Sequence, residues 1–107
     1  MDLLGPMTAE IRAMLDLGAE RQRVIAANIA NVNTPGYRAQ VVRFDEHLRR
    51  AVTAEREGAV PREDGNTVVM EVESAEMRKN ALVYRVYLAA LQHEVRMARM
   101  AIAGRAQ

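Results

Sequence analysis

The stretch that decides the fold runs from Met70 to Ile102 and reads MEVESAEMRKNALVYRVYLAALQHEVRMARMAI. Mostly apolar residues recur in it at alternating steps of four and three: Met70, Ser74, Met77, Ala81, Tyr84, Leu88, Leu91, Val95, Ala98 and Ile102. This spacing places them on one stripe of a helix and is typical of a coiled-coil seam. Such a helix would be about 50 Å long at ~1.5 Å per residue. Because a compact chain of 107 residues cannot bury so long a seam, we expect partner helices along most of its length.

A second helical pattern lies near the start of the chain, where we predict a helix over residues 6–33. Its stripe steps by four and three through Ile11, Leu15, Gly18, Gln22, Ile25, Ile29 and Val32. Gly18 costs a helix about 1 kcal/mol relative to alanine, and the missing side chain suits a close crossing by another backbone. We expect this helix and the one predicted over residues 70–103 to pack as a coiled-coil-like hairpin.

Residues 34–69 are predicted to hold a turn, one short helix and a mobile loop. Pro35-Gly36 suits the centre of a type II turn, because glycine accepts a positive φ there. Residues 38–44 are expected to be extended, a short helix to run from Asp45 to about Ala54, and a mobile loop to span Glu55 to Asn66. The predicted fold class is therefore all-α, in a single domain over residues 1–107.

Composition supports a helical chain and excludes several classes of protein. Half of the residues are hydrophobic but only 4% are aromatic, and the net charge is +1. The absence of cysteine rules out a disulfide framework and thiolate metal ligands. No apolar run approaches the roughly 20 residues of a membrane span, and the first residues lack the basic n-region and long apolar core expected of a cleaved signal. We therefore expect no transmembrane segment.

Catalytic and metal-binding patterns are missing from the sequence. The two histidines, His47 and His93, have no partner ligands at suitable spacing, and the single serine, Ser74, lies within the predicted seam. No glycine-rich phosphate loop is present. Both basic and acidic residues lie on the second helix, and it has no basic stripe that carries stacking aromatics. We predict no enzyme activity, no metal, no cofactor and no nucleic-acid partner.

Three asparagines near the end of the first helix have two interpretations. Asn28 lies inside the helix, where asparagine is a mediocre helix former, and Asn31 and Asn33 lie where the helix should end, so the three suit C-cap and turn positions. Their amides could instead hydrogen-bond a neighbouring segment and fix the register between subunits, as a buried asparagine does in coiled coils.

The same stretch resembles a known family. Residues 26–38, AANIANVNTPGYR, are similar to the N-terminal signature of flagellar rod and hook axial proteins, and the signature residues are Asn28, Asn31, Asn33, Thr34, Pro35, Gly36 and Tyr37. Residues 64–68, 76–77 and 80–85 resemble the start of that family's C-terminal core helix. The short gap between the two motifs is most similar to that of proximal rod subunits of the B type, with the C type next.

This resemblance implies a structural role in the flagellar basal body. Such subunits leave the cell through the flagellar type III export apparatus without a cleaved signal and assemble in the periplasm into a rod. The rod transmits torque between membrane ring and hook, so the implied partners are sister molecules, other rod proteins, and membrane-ring and rod-base adaptor proteins. Phe44 and Leu48 resemble an export-gate motif, although an i,i+4 pair packing the predicted short helix explains them equally well.

The expected mechanism is polymerisation through seams that pairing within the chain satisfies only in part. The candidate packing residues are Ile11, Leu15, Ile25, Ile29, Met77, Ala81, Tyr84, Leu88, Leu91, Val95 and Ile102. Two alternatives remain open from the residues alone. One is a helical adaptor that binds a partner helix, and the other is a coiled-coil homodimer that does not polymerise.

Overall fold

Two long helices and a β-hairpin between them make up the structure, a computed structural model that describes residues 5–105 without the side chains of Pro6 and Arg105. The elements are α1 (Gly5–Ala30), β1 (Gln40–Asp45), β2 (Arg50–Glu55) and α2 (Met70–Arg105). Asn28 contacts Glu73, whereas Gly18 contacts Asn80, so α1 and α2 run antiparallel. The prediction of two long, paired helices is confirmed.

The molecule is elongated, because α2 is much longer than the rest of the chain is wide. Its extents are 70 × 28 × 17 Å and its radius of gyration is 18.6 Å, against about 13 Å for a compact chain of this length. The 36 residues of α2 span about 54 Å. Much of α2 is therefore left without cover from the rest of the chain.

The short helix predicted from Asp45 to Ala54 is wrong, and a β-hairpin takes its place. The two strands are antiparallel, with Val42 opposite Thr53 and Phe44 opposite Ala51. Residues 40–44, QVVRF, contain the β-branched and aromatic residues that suit a pleated surface. The predicted extended segment over residues 38–44 agrees with β1. The second strand supplies the hydrogen-bond partner that a lone extended segment lacks.

The hairpin packs on α1 through a small core. The buried residues Leu17, Val24 and Val42 form its centre, and the partly buried residues packed against them are Met14, Phe44 and Ala51. Leu17 and Val24 lie outside the predicted α1 stripe, because that stripe accounts only for the side of α1 that faces α2. α1 therefore has two contact sides, one for α2 and one for the hairpin.

Candidate subunit interface and signature turn

The signature turn begins at the C-terminus of α1, where Asn31 caps the helix. Its Nδ2 donates to the carbonyl of Ala27 at 2.8 Å, and its Oδ1 accepts a hydrogen bond from the Thr34 hydroxyl at 3.1 Å. The same carbonyl also accepts from the backbone nitrogen of Asn31 at 3.1 Å, so the side-chain amide reinforces the last hydrogen bond of the helix, where backbone partners run out. Asn31 thus acts as a cap and a turn residue within the chain, and Asn33 is exposed.

Gly36 completes the turn and brings the chain against the second motif. Tyr37 N donates to the Thr34 carbonyl at 3.2 Å, and Gly36 has φ 76°, which agrees with the predicted type II turn. Gly36 N donates to the Asp64 carbonyl at 2.8 Å. A Cβ added at Gly65, whose φ is +84°, would lie 3.4 Å from the Gly36 Cα. Glycine at both positions permits this close approach.

Asn66 joins the two family motifs by side-chain hydrogen bonds. Its Nδ2 donates to the carbonyls of Asn31 at 2.9 Å and Thr34 at 2.8 Å, and its Oδ1 accepts from Val68 N at 2.7 Å. Arg62 adds donations to the carbonyls of Val32 and Val68. Asn66 is fully buried. The segment around Asn66 therefore fixes the shape of the turn that ends α1.

Asn28 lies at the centre of a buried polar cluster that joins three elements. Its amide exchanges hydrogen bonds with the backbone of Gln40 at 2.8 and 3.0 Å, and its Nδ2 also donates to Glu73 Oε2 at 3.1 Å. Arg56 Nη1 donates to Glu73 Oε1 at 2.7 Å. Asn28 and Glu73 are both 0% exposed. The Asn28 amide is therefore engaged within its own chain, where it fixes the position of α2 relative to α1 and the hairpin.

Gly18 allows the two helices to cross closely, as its missing side chain predicts. The neighbour is a side chain rather than a backbone, since a Cβ on Gly18 would lie 2.9 Å from the Tyr84 ring. Asn80 Nδ2 donates to the Gly18 carbonyl at 2.9 Å. A polar contact and an aromatic contact thus pin the middle of α1 to α2.

The predicted packing residues differ in how deeply the chain itself buries them. On α1, Ile11 and Ile25 are buried, and Leu15 and Ile29 are half-buried. The α2 residues fall into two groups: half-buried are Met77, Leu91 and Val95, and exposed are Ala81, Tyr84, Leu88 and Ile102. Within the described part of α2 the buried residues are the polar Glu73 and Asn80. The side of α2 that faces α1 is thus offset from the predicted stripe and is partly polar.

A second apolar stripe covers the opposite side of α2, and the sequence reasoning missed it. Leu82 lies about 200° around the helix from Asn80 at ~100° per residue. The residues of this outer stripe are Leu82, Val86, Met97 and Met100, with exposed fractions of 64%, 61%, 49% and 65%. The signal was present as apolar residues spaced by four, eleven and three. The longer seam predicts the same helix without these residues, so periodicity alone does not reveal a second stripe.

Phe44 and Leu48 occupy different environments in the β-hairpin. Phe44, on β1, packs against the small core, whereas Leu48 lies in the turn between the strands and is 54% exposed. The Asp45 carboxylate accepts hydrogen bonds from the backbone nitrogens of His47 and Leu48, both at 2.9 Å. The alternative of an i,i+4 pair on a short helix is therefore wrong, since no helix exists there.

Within residues 5–105 no three acidic or histidine side chains are grouped in a way that could hold a metal ion. Neither helix, over the same residues, has the length and apolar character to cross a membrane.

An exposed ion pair on α1 shifts the pKa values of its two partners: the hydrogen bond from Arg23 lowers the pKa of Glu20 and raises that of Arg23. Such exposed pairs contribute little to stability.

Comparison with known proteins supports the resemblance at the signature turn. Residues 15–38, which hold the second half of α1 and the turn, match the family model described as "Flagella basal body rod protein". The matched segment thus contains Gly18, Asn28 and the whole cap described above.

Curated relatives extend the similarity over most of the chain. The flagellar basal body rod protein FlgB of Escherichia coli is 32% identical over 113 aligned positions, which cover 77% of this chain and 82% of the relative. FlgB of Salmonella typhimurium is 31% identical over the same shares, and FlgB of Cereibacter sphaeroides is 33% identical over 84% of this chain and 88% of its own. This chain belongs to the FlgB family of flagellar basal body rod proteins, whose members are structural subunits and not enzymes.

Proposed function

We propose that this chain polymerises with sister molecules and other rod proteins through α1 and α2, and that the resulting proximal rod transmits torque between membrane ring and hook. The observation that carries the proposal is the outer stripe of α2, which exposes about half to two thirds of four large apolar side chains. The four residues form two apolar pairs, Leu82 with Val86 and Met97 with Met100, and exposed apolar groups of this kind mark surfaces for association.

The energy available from the outer stripe favours many contacts over one. Fully burying a large apolar side chain contributes about 1.5–3 kcal/mol, so completing the burial of four half-exposed ones contributes roughly 4–7 kcal/mol. Association costs about 4–15 kcal/mol in lost freedom of motion. One such contact therefore gives a weak pair, whereas a subunit held by several neighbours is firmly bound. Torque transmission requires this distributed arrangement.

The predicted packing residues take part in the same assembly. The residues that the chain itself buries in full or in part pack α1 against α2 and stiffen the pair: Ile11, Leu15, Ile25, Ile29, Met77, Leu91 and Val95. The exposed ones add surface for neighbours: Ala81, Tyr84, Leu88 and Ile102. Residues 1–107 act as a single rod-subunit domain in this proposal. The signature residues shape the end of the helix pair, so their effect on assembly is exerted through the fold of each subunit.

Export precedes assembly in this account. The chain leaves through the flagellar type III apparatus without a cleaved signal, folds in the periplasm and docks among rod proteins above the membrane ring and the rod-base adaptor. Phe44 and Leu48 serve the export gate while the chain is unfolded. Phe44 then becomes part of the core, and Leu48 stays on the surface of the hairpin.

The test is sedimentation of the purified chain over a concentration series, with Val86→Asp and a matched control. Val86 is 61% exposed, so Val86→Asp leaves the fold intact, but it puts a charge into the outer stripe and should abolish growth of large species. Gln92→Asp introduces the same charge at an exposed position outside the outer stripe and should assemble like wild type. A wild-type chain that stops at a dimer, or that remains a monomer, favours the homodimer or the adaptor and refutes polymerisation.

A further inference from the structure

The formal charge of the chain is strongly divided between two regions. Residues 57–72 contain four acidic residues and one basic residue, a net charge of −3, whereas residues 96–102 contain two basic residues and no acidic one, a net charge of +2. The whole chain, by contrast, has a net charge of only +1. The chain is therefore nearly neutral as a whole but has one acidic region and one basic region, which we call its two poles.

The two poles lie at opposite ends of the molecule. Val72, at the start of α2, and Met100, near its end, are about 42 Å apart along the helix at ~1.5 Å per residue. The molecule is 70 Å long. We call residues 57–72 the acidic end and residues 96–102 the basic end.

Each end also carries exposed apolar side chains. On the acidic end these are Val60, Val69 and Val72, with exposed fractions of 81%, 45% and 39%. On the basic end they are Met97, Met100 and Ile102, with exposed fractions of 49%, 65% and 49%. An apolar centre with a charged rim is the usual composition of a protein interface.

Charged side chains remain available at both ends. Arg96 and Arg99 are exposed and form no ion pair within residues 5–105, and the same holds for Glu63 and Glu71. Exposed ion pairs contribute little affinity, but the sign of the charges decides which surfaces can approach each other. Like ends repel each other, and unlike ends attract.

We propose that the basic end of one copy docks on the acidic end of the next, so that this chain assembles head to tail. The inference rests on the proposed polymerisation and adds which surfaces meet. A contact between two different surfaces does not close on itself as a two-fold dimer does, and it propagates into a ring or an open filament. The apolar side chains supply the buried area, and the opposite charges set the direction.

Charge reversal at one end at a time tests this pairing. The first variant carries Arg96→Glu and Arg99→Glu, so both of its ends are acidic; the second carries Glu63→Arg and Glu71→Arg, so both are basic. Each variant alone should need at least about tenfold more protein than wild type for growth in sedimentation. An equimolar mixture of the two should assemble near the wild-type concentration, because unlike ends then meet again.

Two controls keep the result specific. Reversal at Arg12 and Arg49, which are exposed and lie outside both ends, should leave assembly unchanged, and circular dichroism should show the same helix content in all variants. Reversal variants that each grow like wild type, or a mixture that fails to restore growth, overturn the head-to-tail pairing while polymerisation stands. A wild-type chain that never grows overturns polymerisation itself and the pairing with it.

Discussion

Replacing Arg56 by methionine probes the cluster that holds α2 in place. Glu73 is fully buried, and the partner that neutralises its charge is Arg56, at 2.7 Å. Arg56→Met keeps an apolar stem of similar length but leaves a buried carboxylate with only the Asn28 amide. Removing one partner of a buried ion pair costs about 3–5 kcal/mol. Because the Arg56 side chain is 20% exposed, we expect the lower end, about 3 kcal/mol.

That loss is large for a chain of this size. Total stabilities are about 5–15 kcal/mol, and about 1 kcal/mol shifts the melting temperature of a domain near 100 residues by roughly 4–8 °C. Arg56→Met should therefore lower the melting temperature by roughly 12–24 °C in thermal unfolding followed by circular dichroism. Assembly stabilises folded chains, so the measurement belongs at a concentration where sedimentation shows monomer.

A matched control and a rescue separate burial from charge. Arg38→Met removes an exposed ion pair with Glu55, whose closest atoms are 3.8 Å apart, and should change stability by less than about 0.5 kcal/mol. Adding Glu73→Gln to Arg56→Met removes the uncompensated charge and should restore part of the lost stability. The reasoning is refuted if Arg56→Met costs no more than Arg38→Met, or if the added Glu73→Gln destabilises the chain further.

Three further predictions concern the helix crossing, the turn and the hairpin. Gly18→Ala should destabilise the chain by about 1–2 kcal/mol through the clash with the Tyr84 ring. In a Tyr84→Ala background the same substitution should instead stabilise the chain by roughly 1 kcal/mol through helix propensity. Denaturant unfolding of the four chains measures both effects, and a change in unfolding free energy of the same sign in both backgrounds would contradict the close crossing. Asn66→Ala leaves the Asn31 and Thr34 carbonyls without the Asn66 amide donor and should lower the unfolding free energy by about 2–4 kcal/mol in the same assay. A decrease below about 0.5 kcal/mol would show that the turn does not depend on Asn66. Leu48→Ala should leave stability unchanged, since Leu48 is 54% exposed, but it should lower the amount of protein exported. Normal secretion of this variant would contradict a role of Leu48 in export.

The helices could be predicted because their periodicity is long and their stop signal is strong. Over Met70 to Ile102 the apolar spacing persists for more than four heptads, and tertiary contacts rarely overturn so long a pattern. The Pro35-Gly36 pair marks a turn on its own chemistry, which needs no distant partner.

The hairpin could not be predicted in the same way. Asp45 and the residues after it, Glu46, His47, Leu48 and Arg49, are individually compatible with a helix start. Arg49 adopts φ 54° in the turn, a conformation that non-glycine residues seldom take and that local propensity does not suggest. Pairing with β1 and packing on α1 outweigh local preference here, since a strand is stabilised mainly by its neighbours.

The buried polar residues of the site could not be predicted from a single sequence either. Glutamate is almost never fully buried unless it is paired, so residue type alone predicts a surface position for Glu73. Its partner, Arg56, lies 17 positions away, beyond a loop without helix or strand. The importance of Asn28 was visible from its odd place inside a helix, but its contact with Glu73 depends on how α1 and α2 pack.

The central claim, that sister molecules cover the outer stripe of α2, is tested most directly by cysteine labelling. The chain has no native cysteine, so Val86→Cys provides a single thiol on that stripe. We predict rapid labelling by a maleimide in the isolated chain and strong protection of the same thiol in purified basal bodies. Equal labelling rates in the two states would mean that the stripe stays exposed to solvent in the rod and would contradict the account.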